Sequence, residues 1–159
     1  MKTLGIIPAR YASTRFPGKP LVYINGQSML QRVYNQAGKA SLLQNVVIAT
    51  DDERIYEHAL TFGAHVMYTD AGHQSGTDRC AEVAAAFPEM DVVVNIQGDE
   101  PFIDPAQIDA VIEPFDLYPE LAIATLARKI GDEQQLFNHN VVKVVFDKNG
   151  FALYFSRHQ

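Results

Sequence analysis

Asn45–Tyr68 reads NVVIATDDERIYEHALTFGAHVMY, and this stretch decides the fold. Asn45–Thr50 is a β-branched, apolar run of strand length. Asp51 and Asp52 follow as helix-capping residues, and a helix runs through Leu60 to a stop at Gly63. Ala64–Tyr68 is then a further strand. Strand and helix alternating at such short intervals are the signature of a parallel sheet. The same alternation extends in both directions. Upstream lie a strand at Leu4–Pro8, a loop at Ala9–Pro20 punctuated by Pro17, Gly18 and Pro20, and a helix over Ser28–Ala40 with Ser28 as its N-cap. Downstream come a helix at Thr77–Phe87, a strand at Asp91–Ile96 and a helix after Pro105. Further strands are expected at Leu121–Arg128, Val141–Asp147 and Phe151–Ser156, the last two separated by a turn at Lys148-Asn149-Gly150. Early strands that are apolar on both faces belong to a parallel sheet covered by helices on both sides, an α/β chain with three α/β/α layers. Ligands on such sheets bind beyond the carboxyl ends of the strands, which directs attention to 9–20, 51–52, 97–102 and 69–77.

The 159 residues are 47% hydrophobic, enough for the core of one domain and too few for two full ones. No apolar run reaches the roughly 18 residues of a membrane span, and the opening apolar stretch is too short for a signal peptide. Cys80, the one cysteine, cannot form an internal disulfide, which fits a reducing cytoplasm, and its Ala-rich surroundings mark it as core. The five histidines show no metal-ligand spacing. A net charge of −6 argues against a nucleic-acid binder. The charge is unevenly spread, however. Residues 1–50 carry six Lys or Arg and no Asp or Glu, whereas the remainder carries seven bases and all nineteen acids. A positive first third suggests a local anion site, against the plainer reading of a solvated face.

The loop after the first strand concentrates that charge. Arg10, Arg15 and Lys19, with the hydroxyls of Ser13 and Thr14 and the main chain from Ala9 onward, form a set suited to a polyphosphate. It is not a Walker loop, and the alternative is that Arg10 and Lys19 make weak surface pairs with downstream acids. Asp99 ends a buried-type strand, where a carboxylate can take Mg²⁺ together with phosphate oxygens; the alternative is a cap on the turn before Pro101. Gln97 is either a sugar hydroxyl ligand or a strand-end polar group. Ser75–Arg79 opens a helix, and Gly76 permits close backbone approach by a ligand. Asp78 suits the helix N-terminus, and Arg79 stays open between a nucleotide contact and a structural role.

These pieces resemble one family. Ile7-Pro8-Ala9-Arg10, with Pro17-Gly18-Lys19-Pro20-Leu21, is similar to the opening of the cytidylyltransferases that activate the eight-carbon acid sugar 3-deoxy-manno-octulosonate (Kdo), relatives of those that activate sialic acids. Ile48–Asp52, Ser75-Gly76-Thr77-Asp78-Arg79, Asn95-Ile96-Gln97-Gly98-Asp99-Glu100-Pro101, Asn140–Val145 and Ala152–Arg157 follow in the order that family shows. The resemblance implies a Rossmann-like, glycosyltransferase-A-like nucleotide-diphospho-sugar transferase fold. It also implies CTP and Kdo as substrates, Mg²⁺ as cofactor and a product used in lipopolysaccharide synthesis. Arg10, Lys19 and Asp99 become the catalytic set. Ala9, Arg10, Ser13, Arg15, Lys19, Ser75, Gly76 and Arg79 become nucleotide contacts, Gln97 and Arg157 sugar contacts, and Asp99 the metal ligand.

The resemblance further implies that residues 1–159 form the N-terminal portion of a single, longer nucleotidyltransferase domain, here incomplete. The family's remaining length supplies a second metal-binding Asp, much of the sugar pocket and most of its homodimer contact. His139 stands where the family has Pro. The expectation is therefore weak CTP binding, poor turnover and self-association through uncovered apolar surface. Two alternatives stay open: a non-catalytic nucleotide-binding or interaction module, and a transferase for another acid sugar such as sialic acid.

Overall fold

The computed structural model describes residues 1–12 and 16–158. The chain forms two compact units, Met1–Ala124 and Thr125–Gln159. In the first, β1 (Thr3–Ala9) leads through the cationic loop into a tight two-stranded ribbon, β2 (Tyr23–Ile24) and β3 (Gln27–Ser28). Then come α1 (Met29–Ala37), β4 (Asn45–Thr50), α2 (Glu53–Thr61), β5 (His65–Tyr68), α3 (Gly76–Ala85), β6 (Val92–Asn95), α4 (Pro105–Ile112) and the single turn α5 (Pro114–Leu117). Each long helix begins at a residue that can cap it. Ser28, Asp52, Ser75 and Asp104 accept hydrogen bonds from the main-chain N–H groups of Gln31, Arg54, Asp78 and Ala106. Ser75 and Asp78 form a reciprocal capping box.

Strands β5, β4, β1 and β6 lie in that order in one sheet, all parallel. Alternate residues of β1 face opposite layers, as a two-residue period requires. Ile7 and Ala9 join Ile48, Leu30, Val33, Ile55, Ala59, Ile108 and Ile112 on the face covered by α1, α2 and α4. Leu4 and Ile6 join Val47, Ala49, Cys80 and Val83 on the face covered by α3. The three-layer α/β/α architecture expected from the sequence is therefore present. The Cys80 thiol, inside the second layer, is pushed up to about 11 by burial and is a packing group.

The loop between α1 and β4 is pinned to α4 by one carboxylate. Asp109 accepts hydrogen bonds from the Ser41 N–H (3.0 Å), the Ser41 hydroxyl (2.7 Å) and the Leu42 N–H (2.8 Å). Burial pushes this carboxyl up, but the Ser41 hydroxyl and the two amides outweigh burial and hold it below the usual carboxylate range. The folded value thus lies below the unfolded one. The contribution to stability is complete above the unfolded value of about 4 and disappears as pH falls through the folded value. Asp109→Ala is expected to cost about 1–2 kcal/mol in urea denaturation at pH 7. The difference from the parent should shrink toward zero in acid, as pH falls through the folded value.

The second unit contains α6 (Glu133–Phe137) and a hairpin of β7 (Lys143–Phe146) and β8 (Ala152–Ser156). The hairpin is antiparallel, with Val144 opposite Phe155 and a bulge between Val145 and Phe146. Asp147 closes its turn by accepting from the N–H groups of Asn149 and Phe151, and Gly150 supplies the left-handed backbone at φ 88°. The strand expected at Leu121–Arg128 is absent, and that reading is corrected. The run has strand-forming side chains, but no residue of 121–128 joins a ladder, and Ile123 is 82% exposed. A strand needs a neighbour to take its N–H and C=O groups as well as the right side chains.

Candidate nucleotide site

Topology selects one crevice on the first unit. From β1 the chain winds outward to β4 and β5, then returns to the other side of β1 as β6. The reversal lies between β1 and β6, where doubly wound sheets open a cleft at the strands' carboxyl ends. The two segments leaving those ends are the cationic loop after Ala9 and the turn Gln97–Glu100.

A direct contact joins them. Lys19 Nζ lies 2.8 Å from Asp99 Oδ2, across 80 residues of sequence. Both side chains are partly open to solvent, at 41% and 55% exposure, so the pair is exchangeable rather than locked in the core. The downstream acid that Lys19 finds is therefore the one singled out for metal binding. Arg10 is half-buried at the end of β1, and among the described residues no carboxylate pairs with it. The Ala9 side chain is core, 2% exposed, so its share of any ligand contact is a main-chain one.

The loop's shape follows from local chemistry. Gly18 adopts φ 70° and its N–H donates to the Tyr11 carbonyl at 2.9 Å. A side chain at position 18 would meet the Tyr11 ring at 3.0 Å. Pro20 then enters a single 3₁₀ turn at Lys19–Leu21, which aims Lys19 back over the sheet end. The Tyr11 ring also carries the Arg54 guanidinium, 3.2 Å from the ring centroid. Arg54 is itself gripped by Asp52, with Nε and Nη2 at 3.0 and 2.6 Å from the two carboxylate oxygens. Its hydrogen bonds hold the Asp52 carboxyl below its usual range. Asp52 therefore caps α2, as expected, and also steadies the cationic loop through Arg54. Ser13 and Arg15 lie outside the described residues.

The third segment is Thr69–Gly76. Pro8, at the end of β1, touches both Gly76 and Gly98: a Cβ on Gly76 would lie 3.2 Å from Pro8 Cγ, and one on Gly98 3.2 Å from the Pro8 carbonyl oxygen. Glycine at both positions lets the two turns close on the strand end. The loop is fastened to α3 by Glu82, which accepts from the Asp70 N–H at 2.9 Å and pairs with His73. The hydrogen bond from His73, with that from Asp70, holds the Glu82 carboxyl below its usual range.

Arg79 lies buried in the first turn of α3. Its side chain is 0% exposed; Nη1 donates to Thr69 Oγ1, and Nη2 lies 3.2 Å from Asp51 Oδ1. Asp51 thus pairs with Arg79, and only Asp52 of the two is a cap. Gln97 is exposed and donates to Asn95 Oδ1 at 3.3 Å. Arg157 belongs to the second unit, where its guanidinium donates to the His139 carbonyl. Sequence reading missed Arg54 and its stacking on Tyr11. The spacing of 43 residues gives no hint of contact, although an arginine next to a capping acid was a signal for the Asp52 pair.

Among the described residues no three His, Cys, Asp or Glu side chains cluster as a ready metal cage. A single exposed carboxylate beside a cation suits an ion that arrives already held by phosphate oxygens, the usual habit of Mg²⁺. Among the described residues no helix is long and apolar enough to cross a membrane.

A parallel sheet wound both ways from its first strand, with a cation and a carboxylate meeting over the reversal, places this chain among the nucleotidyltransferase-type α/β proteins. The chain belongs to the cytidylyltransferase family, whose model, described as Cytidylyltransferase, matches residues 4–159. It is 54% identical over 156 residues to the 3-deoxy-manno-octulosonate cytidylyltransferase of Solibacter usitatus, covering 98% of this chain and 62% of that protein. It is 52% identical over 157 residues to the enzyme of the same name from Geobacter metallireducens, covering 99% and 61%. A solved structure described as CMP:2-keto-3-deoxy-manno-octonic acid synthetase complexed with CTP superposes with a TM-score of 0.95 at 40% identity, over 99% of this chain and 65% of that one. The chain thus spans about three-fifths of the length of the curated relatives it matches.

Proposed function

We propose that this chain is the nucleotide-binding part of an enzyme that transfers CMP from CTP to Kdo, releasing pyrophosphate, in the cytoplasmic supply of lipopolysaccharide. The observation that carries the reading is the Lys19–Asp99 pair at 2.8 Å over the β1/β6 crevice. It joins the two groups that phosphate and a phosphate-bound cation would each claim. The names of the relatives supply the substrates, and the family match across residues 4–159 supports treating both units as parts of one transferase domain.

In this reading the sugar's anomeric hydroxyl oxygen bonds to the α-phosphorus as the α,β-anhydride bond breaks. Pyrophosphate leaves with the bonding pair, and the hydroxyl proton passes to solvent. Arg10 and Lys19 hold the β- and γ-phosphates and balance charge that grows on the leaving group. Arg15 and Ser13 extend the same loop. Asp99 would hold Mg²⁺, which when bound lowers the pKa of the attacking hydroxyl and draws charge from the phosphate oxygens. The Ser75–Gly76 main chain reads the base, and Gln97 takes the sugar. Holding two anionic substrates in line is most of the catalytic task.

The test is pyrophosphate release by the protein with CTP and Kdo in the presence of Mg²⁺, compared with UTP, GTP and sialic acid. Release confined to CTP with Kdo supports the reading. CTP binding by calorimetry without release from any sugar supports a binding module instead, and release with sialic acid alone moves the assignment to another acid sugar.

A further inference from the structure

The geometry points to Arg79 as a positioning residue that sets the nucleotide loop from beneath without touching the nucleotide. This rests on the reading above, in which the Ser75–Gly76 main chain faces the base. Arg79 lies in the first turn of α3, directly below that segment, and its main-chain N–H donates to the Ser75 carbonyl at 3.3 Å. Its side chain is closed off from solvent. From there one guanidinium reaches Thr69 past the end of β5 and Asp51 past the end of β4. Thr69 is in turn fixed to β4 by its N–H, which donates to the Thr50 carbonyl at 2.9 Å. Three chain segments that end at the crevice therefore share one planar cation.

A stability role alone accounts poorly for this arrangement. Among the described residues Nε and Nη2 of Arg79 are buried without an aligned hydrogen-bond acceptor, because Asp51 lies at ion-pair distance but off the N–H direction. Unfilled buried donors cost free energy, and apolar side chains of similar size often serve a core as well as or better than a buried ion pair. What a rigid fork supplies that methionine cannot is a fixed angle between the segments it joins. The segment so fixed begins at Ser75, already capped on Asp78, and abuts Pro8 through Gly76. A shift of that segment would move the main-chain groups facing the base while leaving the Lys19–Asp99 contact in place.

Calorimetric titration of CTP and UTP, alongside thermal melting, tests this on the whole protein. Arg79→Met is expected to melt within a few degrees of the parent. It should bind CTP about tenfold more weakly and lose most of its preference for CTP over UTP. Arg79→Lys should recover little, because the charge returns without the fork. Thr69→Val and Asp51→Asn should each move CTP affinity the same way by about threefold. The Asp51→Asn change should add little to Arg79→Met, since both act through one contact. If Arg79→Met does not fold, the Thr69 and Asp51 variants carry the test. Unchanged CTP affinity and base preference in the folded variants overturn the inference, as does a loss of stability with base preference intact. A parent protein that binds no CTP would instead overturn the proposed function.

Discussion

Asp99→Asn should lower CMP transfer by about 10³-fold, some 4 kcal/mol at the transition state, while strengthening the binding of CTP in the absence of metal. The two signs follow from one geometry. Asp99 Oδ2 lies 2.8 Å from Lys19 Nζ and neutralises it. For CTP to use Lys19 that contact must break, and an uncompensated carboxylate then faces the phosphates. Removing the charge removes both penalties, worth about two- to fivefold for a half-exposed pair. The same substitution removes the carboxylate that would hold Mg²⁺, so turnover collapses. A misfolded variant would lose both properties together. Single-turnover kinetics with Mg²⁺ and calorimetry with chelator present read the two effects separately.

Lys19→Met should do the reverse at the carboxylate. Nucleotide affinity is expected to fall about 10- to 100-fold, the cost of one charge-assisted phosphate contact. Binding of Mn²⁺ without nucleotide, followed by electron paramagnetic resonance, should tighten severalfold because Asp99 no longer has a competing cation. In the parent, metal and nucleotide should each help the other bind, since each frees the partner the other needs, and linkage makes the effect reciprocal. That mutual enhancement should be reduced in both Lys19→Met and Asp99→Asn.

The sheet was legible because its rules are local. NVVIAT, followed by two acids and a helix stopped by Gly63, dictates a strand, a capped helix and a return. Strands apolar on both faces placed the layers. Lys19 and Asp99 could each be picked out, Lys19 from an acid-free loop and Asp99 from its place after VVVNI. Their contact could not be read, because it depends on β6 lying beside β1 and not beyond β5. The burial of Arg79 was already contained in the helix period. The arginine shares the buried stripe of α3 with Cys80 and Val83, one of them a full turn away. A charged residue on a buried stripe needs buried partners, and these came from the ends of two other strands. The run at Leu121–Arg128 failed differently. Its side chains favour a strand, yet strand formation depends on an available edge that composition does not reveal.

Arg54 shows a further limit. Its hold on Asp52 follows from a spacing of two residues, but its seat on the Tyr11 ring joins the first turn of α2 to the loop after β1, which only the parallel pairing of β1 with β4 brings about. Tyr11, which carries Arg54 on its ring and lies beside Gly18, ties together the described flanks of the cationic loop. Flanks already held in place leave less to order when a polyphosphate arrives.

Everything turns on whether positive side chains at the carboxyl end of β1 grip the nucleotide's phosphates. Calorimetric titration of CTP with Mg²⁺ into an Arg10→Ala, Lys19→Ala double variant asks this directly. The expected result is a loss of about 10²- to 10³-fold in affinity with the melting transition preserved. Affinity within twofold of the parent would contradict the account.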